Sequence, residues 1–154
     1  MMERRREQKE HGTREFPFQI YSAPDAKDSD LVPYHWHPEV EIITVLQGEV
    51  DVTILDDRHV GRRGDVFVVN VGELHEIRGG VDNLFRSFVF PLDFLQFRRE
   101  DGAQSQWLQP LEQQESHFAA VVDGATPAGQ EIFAELLRIM EADDHRQTGY
   151  QLLI

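Results

Sequence analysis

The stretch His35-Trp36-His37-Pro38-Glu39-Val40-Glu41-Ile42-Ile43-Thr44-Val45-Leu46-Gln47-Gly48, answered further on by Gly64 to His75, decides how this chain is read. Val40 to Leu46 reads as extended, and strand side chains alternate faces. His35 and His37 therefore share one face, and Glu41 has their parity, so three ligand-type side chains are expected from one strand with Pro38 leaving the alternation intact. Gln47-Gly48 supplies the turn that sends the chain back antiparallel through Glu49 to Ile54. Gly64-Asp65 opens a second extended run, Val66 to Val69, which breaks at Asn70-Val71-Gly72-Glu73 before His75 begins another strand. His75 is a fourth donor.

The first stretch matches the cupin pattern H-x-H-x3-E-x6-G throughout. The second matches G-x5-P-x-G-x2-H-x3-N at Gly64, Gly72 and His75, with Asn70 at the proline position and Gly79 at the final asparagine position. The wider wording, from His-Trp-His-Pro-Glu-Val-Glu-Ile to Glu-Leu-His, resembles the amino-terminal effector domain of AraC-type transcriptional regulators. The resemblance is strongest from Tyr34 to Gly80 and fades toward the carboxy-terminal end. It implies a mainly β fold, a cupin double-stranded β-helix or jelly-roll barrel followed by carboxy-terminal helices. It also implies that His35, His37, Glu41 and His75 converge inside.

Three imidazoles and one carboxylate are borderline donors suited to zinc, nickel, iron, copper or manganese, and four protein ligands leave positions open for water or ligand. A second reading stands beside the metal: a hydrogen-bonded polar cluster that binds an organic effector directly, a sugar being the family's familiar case. Arg86 interrupts an otherwise apolar strand, Leu84 to Phe90. It must reach solvent or pair with a carboxylate or ligand, because an isolated buried charge is costly. It joins the four donors as a ligand-binding candidate, with Phe85, Ser87 and Val89 on the opposite face.

With 154 residues and 40% hydrophobic content, one well-buried domain is expected. No apolar run approaches the roughly 20 residues a bilayer span needs, and Met1 to Glu10 has no apolar core like a secretory signal. A cytoplasmic protein with no membrane partner is expected. Cysteine is absent, which excludes disulfides and thiolate chemistry. A net charge of −13 argues against this chain holding nucleic acid unaided, since Lys and Arg supply most affinity for phosphate. Arg4, Arg5, Arg6, Lys9 and Arg14 crowd the start, so residues 1–15 read as a flexible arm of mixed charge. Some members of the family use such an arm to cover ligand or touch another domain.

Residues 16–100 are expected to hold the barrel, and 101–154 a connection and helices. A first strand is placed at Phe16 to Tyr21, a loop at Ser22 to Pro33, and strands at Glu39 to Leu46, Glu49 to Leu55, Asp65 to Val69, His75 to Arg78 and Leu84 to Phe90. Asp56-Asp57 marks a turn, Leu92 to Phe97 a helical turn or two, and Gly102 to Pro110 a polar connection carrying Trp107. Thr126-Pro127 reads as an N-cap with proline at the first helical position. It opens a helix with apolar residues at Ile132, Phe133, Leu136, Leu137, Ile139 and Met140. Thr148 to Ile154 starts another helix.

Members of the family normally continue into a domain with two helix-turn-helix units, so the chain is expected to be truncated, with DNA contact in the missing part. Homodimerisation through the carboxy-terminal helices is the expected assembly. Trp36 points away from the two histidines by parity and is given to packing rather than to sugar stacking. His11, His59, His117 and His145 lie in polar contexts and are expected at the surface. Two functions remain: an effector-binding and dimerisation half of a transcription regulator without turnover, or a small metal-dependent cupin enzyme (oxygenase, isomerase or epimerase). The enzyme also needs a general acid or base beyond the ligands, for which Glu39, Glu73 and Glu76 are near in sequence.

Overall fold

The computed structural model describes residues 5–22, 31–80, 82–99 and 101–154. Among these, nine strands are arranged in two antiparallel sheets. They are β1 (Gln19–Ser22), β2 (Leu31–His35), β3 (Val40–Gln47), β4 (Glu49–Ile54), β5 (Asp57–Arg62), β6 (Val66–Val69), β7 (His75–Gly79), β8 (Leu84–Phe90) and β9 (Val121–Val122). One sheet has the order β1-β8-β3-β6-β9, the other β2-β7-β4-β5. This is the cupin jelly roll, with a carboxy-terminal helix against it.

Alternation along the strands produces two cores. In β6, Phe67 and Val69 face inward while Val66 and Val68 face outward, so all four are buried. The inner core joins Ile43, Val45, Phe67, Val69 and Phe85 to Val50, Val52, Ile54 and Ile77 from the opposite sheet. The outer core lies under the helices, where Val40, Val66, Val68, Phe88 and Phe90 meet Phe18, Leu92 and Leu136. Such a sheet, covered on both faces, cannot show the simple apolar-polar alternation of a half-exposed one.

The strand boundaries differ from expectation at the edges. β2 occupies the end of the expected loop and contains Pro33, which an edge strand tolerates because its lost donor faces no partner strand. The remainder of that loop, 23–30, lies outside the described residues. β5 was not expected. Its Asp57-Arg58-His59-Val60-Gly61-Arg62 is polar because it is an exposed edge, a common guard against further pairing. Gly61 is nonetheless required there, since a Cβ would fall 2.4 Å from the Phe67 ring. β9 pairs with β6 and so carries the barrel past the expected boundary at residue 100.

The long helix α2 (Pro127–His145) begins as expected. Thr126 Oγ1 accepts from the Gly129 amide at 3.0 Å, satisfying one of the free donors at the helix start. Leu136 is buried, and Ile139 and Met140 pack on the outer core, whereas Ile132 and Leu137 remain exposed. Much of the apolar face expected on this helix is therefore used within the chain. Gly102 to Pro110 is not a simple connection: a π-helical turn, Gln104–Leu108, runs into α1 (Gln109–Glu112). Gln104 is buried and accepts from the Phe97 amide at 3.1 Å, a polar tertiary contact with no apolar period to announce it. The last residues form only a short 3₁₀ turn, Tyr150–Leu152.

The amino-terminal segment also departs from expectation. Trp36 donates to the Arg5 carbonyl at 3.0 Å and accepts from the Glu7 amide at 2.9 Å, forming a parallel bridge beyond the end of β2. Arg5 lies over the Tyr34 ring and Arg6 over the Trp36 ring. Peptide groups at this edge find partners in the arm, so residues 5–7 are docked through their backbone while Arg5 and Arg6 stay exposed.

Candidate metal centre

His35 ends β2 and His75 begins β7, and the two face each other across that strand pair with ring centroids 4.2 Å apart. Glu41 projects from β3 in the other sheet, while His37 lies in the link between. The expectation that one strand carries three donors is therefore corrected. The chain crosses from one sheet to the other between His35 and Glu41, where Pro38 offers no ladder donor and restricts His37 to extended geometry. The four side chains still converge: one donor atom from each lies within 4.8 Å of all the others.

The imidazoles are oriented by the backbone. His35 Nδ1 bonds the Pro33 carbonyl at 2.9 Å, His37 Nδ1 the Glu39 carbonyl at 3.1 Å, and His75 Nδ1 the Glu73 carbonyl at 3.0 Å. A carbonyl only accepts, so each ring carries its proton on Nδ1 and offers Nε2 to the interior. Nε2 of His37 and of His75 lie 3.1 and 3.0 Å from the same Glu41 oxygen. Three preset Nε2 lone pairs around a buried carboxylate fit a borderline divalent metal, and the same atoms fit a protonated imidazole paired with Glu41.

Burial opposes ionisation of Glu41, but hydrogen bonds from His37 and His75 overcome it and hold the carboxyl well below its usual range. Burial likewise disfavours the charged form of His75, and Glu41 overcomes it, leaving its pKa raised. His35 is shifted the other way, lowered by burial and by the neighbouring His75.

The turn before His75 explains one departure from the motif. Glu73 Oε2 accepts from the Asn70 amide at 2.8 Å, and Gly72 takes a positive φ of 76°. Asn70 Nδ2 donates to the Phe118 carbonyl and Asn70 Oδ1 accepts from the Phe118 amide. Proline could make none of these bonds. Glu73 is thus a structural cap, and Glu76 is paired with Arg78 at 3.3 Å. Glu39 Oε2 is 3.6 Å from His37 Nδ1.

A cavity of about 250 Å³ opens beside His35, His37 and Glu41. Phe85, Ser87 and Val89 line it, because β8 pairs with β3 in the register Val45↔Phe85, Ile43↔Ser87 and Glu41↔Val89. Arg86 is consequently on the other face of the sheet. Its Nη1 donates to the Phe85 carbonyl, and strand alternation takes it out of the ligand-binding candidates while bringing Phe85, Ser87 and Val89 to the cavity. Trp36 is also outside the cavity lining.

Glu7, Lys9 and His11 line the cavity, and sequence reasoning missed them. His11 is 8% exposed, its Nδ1 2.8 Å from the Tyr21 hydroxyl and its ring 5.4 Å from that of His37. The expected surface role does not hold for this histidine, whereas His117 and His145 are exposed as expected. Glu7 is held below its usual pKa chiefly by His11, and Tyr21 is raised by burial and by Glu7. Polar neighbours in sequence gave no sign of this, because His11 is buried only when the arm folds against the barrel.

A family model for the AraC-like ligand binding domain matches residues 21–153. The chain belongs to that family. This AraC-like ligand binding domain is also similar to solved structures, each over less than half its length. Oxalate decarboxylase from Bacillus subtilis, described with Mn(II) centres, shares 25% identity over 41% of this chain and 18% of its own, with a TM-score of 0.38. An RmlC-like cupin from Shewanella frigidimarina shares 19% identity over 48% of this chain and 66% of its own, with a TM-score of 0.44. A cupin superfamily protein from Desulfitobacterium hafniense shares 20% over 48% and 65%, with a TM-score of 0.42. The AraC-like domain thus spans less than a fifth of the oxalate decarboxylase chain. No curated protein matches it. No helix among the described residues is long and apolar enough to cross a membrane.

Proposed function

We propose that this AraC-like domain senses a small molecule in the cavity beside His35, His37, Glu41 and His75, with a divalent transition metal held by those four side chains. The observation that carries the reading is the convergence of three backbone-oriented imidazoles and one buried carboxylate beside a cavity of about 250 Å³. The metal would be bound through the three Nε2 atoms and the Glu41 carboxylate, and its chemistry would be that of a Lewis acid orienting an oxygen ligand. A sugar-like effector is the first class to test. Transcription regulation is the role proposed for the sensing event, with DNA contact assigned to another domain because this one carries a net charge of −13. A cytoplasmic location goes with that role.

Homodimerisation belongs to the same proposal. Ile132 and Leu137 on α2 are exposed, as are Leu152 and Leu153 after it, which supports a helical contact between two copies. The enzyme reading has one observation in its favour: His11 and Glu7 stand at the cavity, in the place of the acid-base groups sought at Glu39, Glu73 and Glu76.

Elemental analysis and a thermal-shift screen of metals, sugars and small acids test the proposal, because a ligand of the native state raises its apparent stability. The expected result is a bound ion and an effector that shifts the midpoint without being consumed. Less than about a tenth of an equivalent of metal after growth with added ions would leave the hydrogen-bonded cluster as the reading, given a site of this kind. Conversion of the ligand would favour the enzyme.

A further inference from the structure

Beside the four-donor cluster lies a second layer of ionisable groups that the cluster does not use. Glu7 Oε2 stands 3.5 Å from His35 Nε2 and 3.5 Å from His11 Nε2. Both separations exceed the roughly 2.7–2.9 Å of a strong charge-assisted bond. His11 is nine-tenths buried, and its Nε2 makes no hydrogen bond. A buried ring nitrogen in that condition is costly unless a ligand satisfies it. Lys9 lines the same cavity, its Nζ 3.9 Å from the centre of the Tyr21 ring. A carboxylate is therefore held loosely where the His11 imidazole and the Lys9 ammonium favour a well-bound one.

The rest of the lining has a different character. Val32, Ile77, Phe85 and Val89 supply hydrocarbon, and the volume of about 250 Å³ falls just below the range of roughly 300–1,000 Å³ usual for ligand sites. A compact amphipathic molecule suits this space. Glu7 itself is anchored by its backbone through Trp36, so its side chain can swing aside without the segment leaving.

We propose that Glu7 stands in for the carboxylate of the effector, and that the effector is a small α-hydroxy or α-keto acid with a short hydrocarbon tail. This rests on the sensing reading given above and replaces its sugar-like ligand class with an acid. The acid's carboxylate takes Glu7's place beside His11 and Lys9, its α-oxygen turns to the four-donor cluster, and its tail packs against Phe85 and Val89. A neutral sugar has no charge with which to replace Glu7.

Titration calorimetry on the zinc-loaded full chain tests this, with L-lactate and 2-oxoisovalerate as acids and arabinose and glucose as neutral sugars. The acids are expected to bind and the sugars are not. Glu7→Ala and Glu7→Gln should tighten acid binding about tenfold, the gain when a competing state holding about nine-tenths of the molecules is removed. His11→Ala should weaken it. Acid affinity unchanged or reduced in both Glu7 variants would overturn the proposal, as would loss of zinc from Glu7→Ala, which would make Glu7 a metal ligand instead. Sugars binding where acids do not would overturn the acid class and leave the sensing reading standing. Failure of that reading itself shows separately, as wild-type protein that neither retains metal nor responds to any compound in the wider screen.

Discussion

Glu41 and Val45 project from the same face of β3, four residues apart, into opposite surroundings. Around Val45, the side chains of Ile43, Val50, Val52, Phe67 and Phe85 fill the space between the sheets. Around Glu41, the same two sheets deliver three histidines and leave a cavity. One half of the barrel is stabilised by apolar burial, and the other holds polar groups satisfied by one another and by backbone carbonyls. The comparison teaches that the dry half is what makes the wet half affordable: donors can be held apart from water because neighbouring residues on the same strands are locked in a packed core.

The largest expected effect lies in the dry half. Phe67 is 1% exposed at the centre of the inner core. Phe67→Ala should cost about 3–5 kcal/mol in denaturant unfolding. A cost below about 1 kcal/mol, the size of an ordinary surface-to-moderate change, would mean that the inner core is not the source of rigidity.

Metal removal tests the wet half. Protein loaded with a hundredfold excess over the dissociation constant should lose about 2.7 kcal/mol of apparent stability when the ion is chelated. His37→Ala with His75→Ala should abolish both the bound ion and the response to chelator, because half the donor set is gone. Equal melting of loaded and chelated wild type would leave the two halves alike in having no ligand contribution.

The sign of the pH response separates two histidines of one cluster in the metal-free protein. His75 has a raised folded pKa, so its stabilising contribution is present below the ordinary value of 6.5 and is lost as pH climbs through the folded value. His35 has a lowered folded pKa, so it contributes in the opposite direction, stability rising as pH passes upward through its folded and unfolded values. His35→Ala should therefore remove the rise of stability with pH below 6.5 and leave the fall above it, a change of slope of less than about 1.4 kcal/mol per pH unit. Melting curves from mildly acidic to mildly alkaline pH measure it, and a rise below 6.5 that survives the substitution would contradict the assignment.

The smallest effect lies outside both halves. Thr126→Ala should cost about 1 kcal/mol by freeing the amide that its hydroxyl caps. Metal content should not change. If metal were lost with the cap, the outer face and the cavity would be coupled, and the separation drawn at β3 would fail.

The donors were legible because motif spacing survives whatever path the chain takes: His35, His37, Glu41 and His75 meet even though they come from two sheets and a link rather than from one strand and its neighbour. Gly48 and Gly72 were legible for a local reason, since both adopt positive φ. Arg86 was misplaced because β8 is apolar on both faces, so pattern alone does not say which parity looks inward. β5 was passed over because an exposed edge has no apolar period.

By itself, then, the sequence determined the strands β1, β3, β4, β6, β7 and β8, the N-cap at Thr126, the meeting of His35, His37, Glu41 and His75 and the cupin class, all of which rest on local geometry or on spacing. Only the tertiary structure decided which side of β8 faces the cavity, that Leu136, Ile139 and Met140 are covered by the chain's own sheet, and that Glu7 and His11 belong to the site. The physical reason is common to all three. Burial and the meeting of residues distant in sequence depend on which surfaces the folded sheets offer, and a polar arm becomes an interior wall only when an edge at Trp36 exists for it to bind.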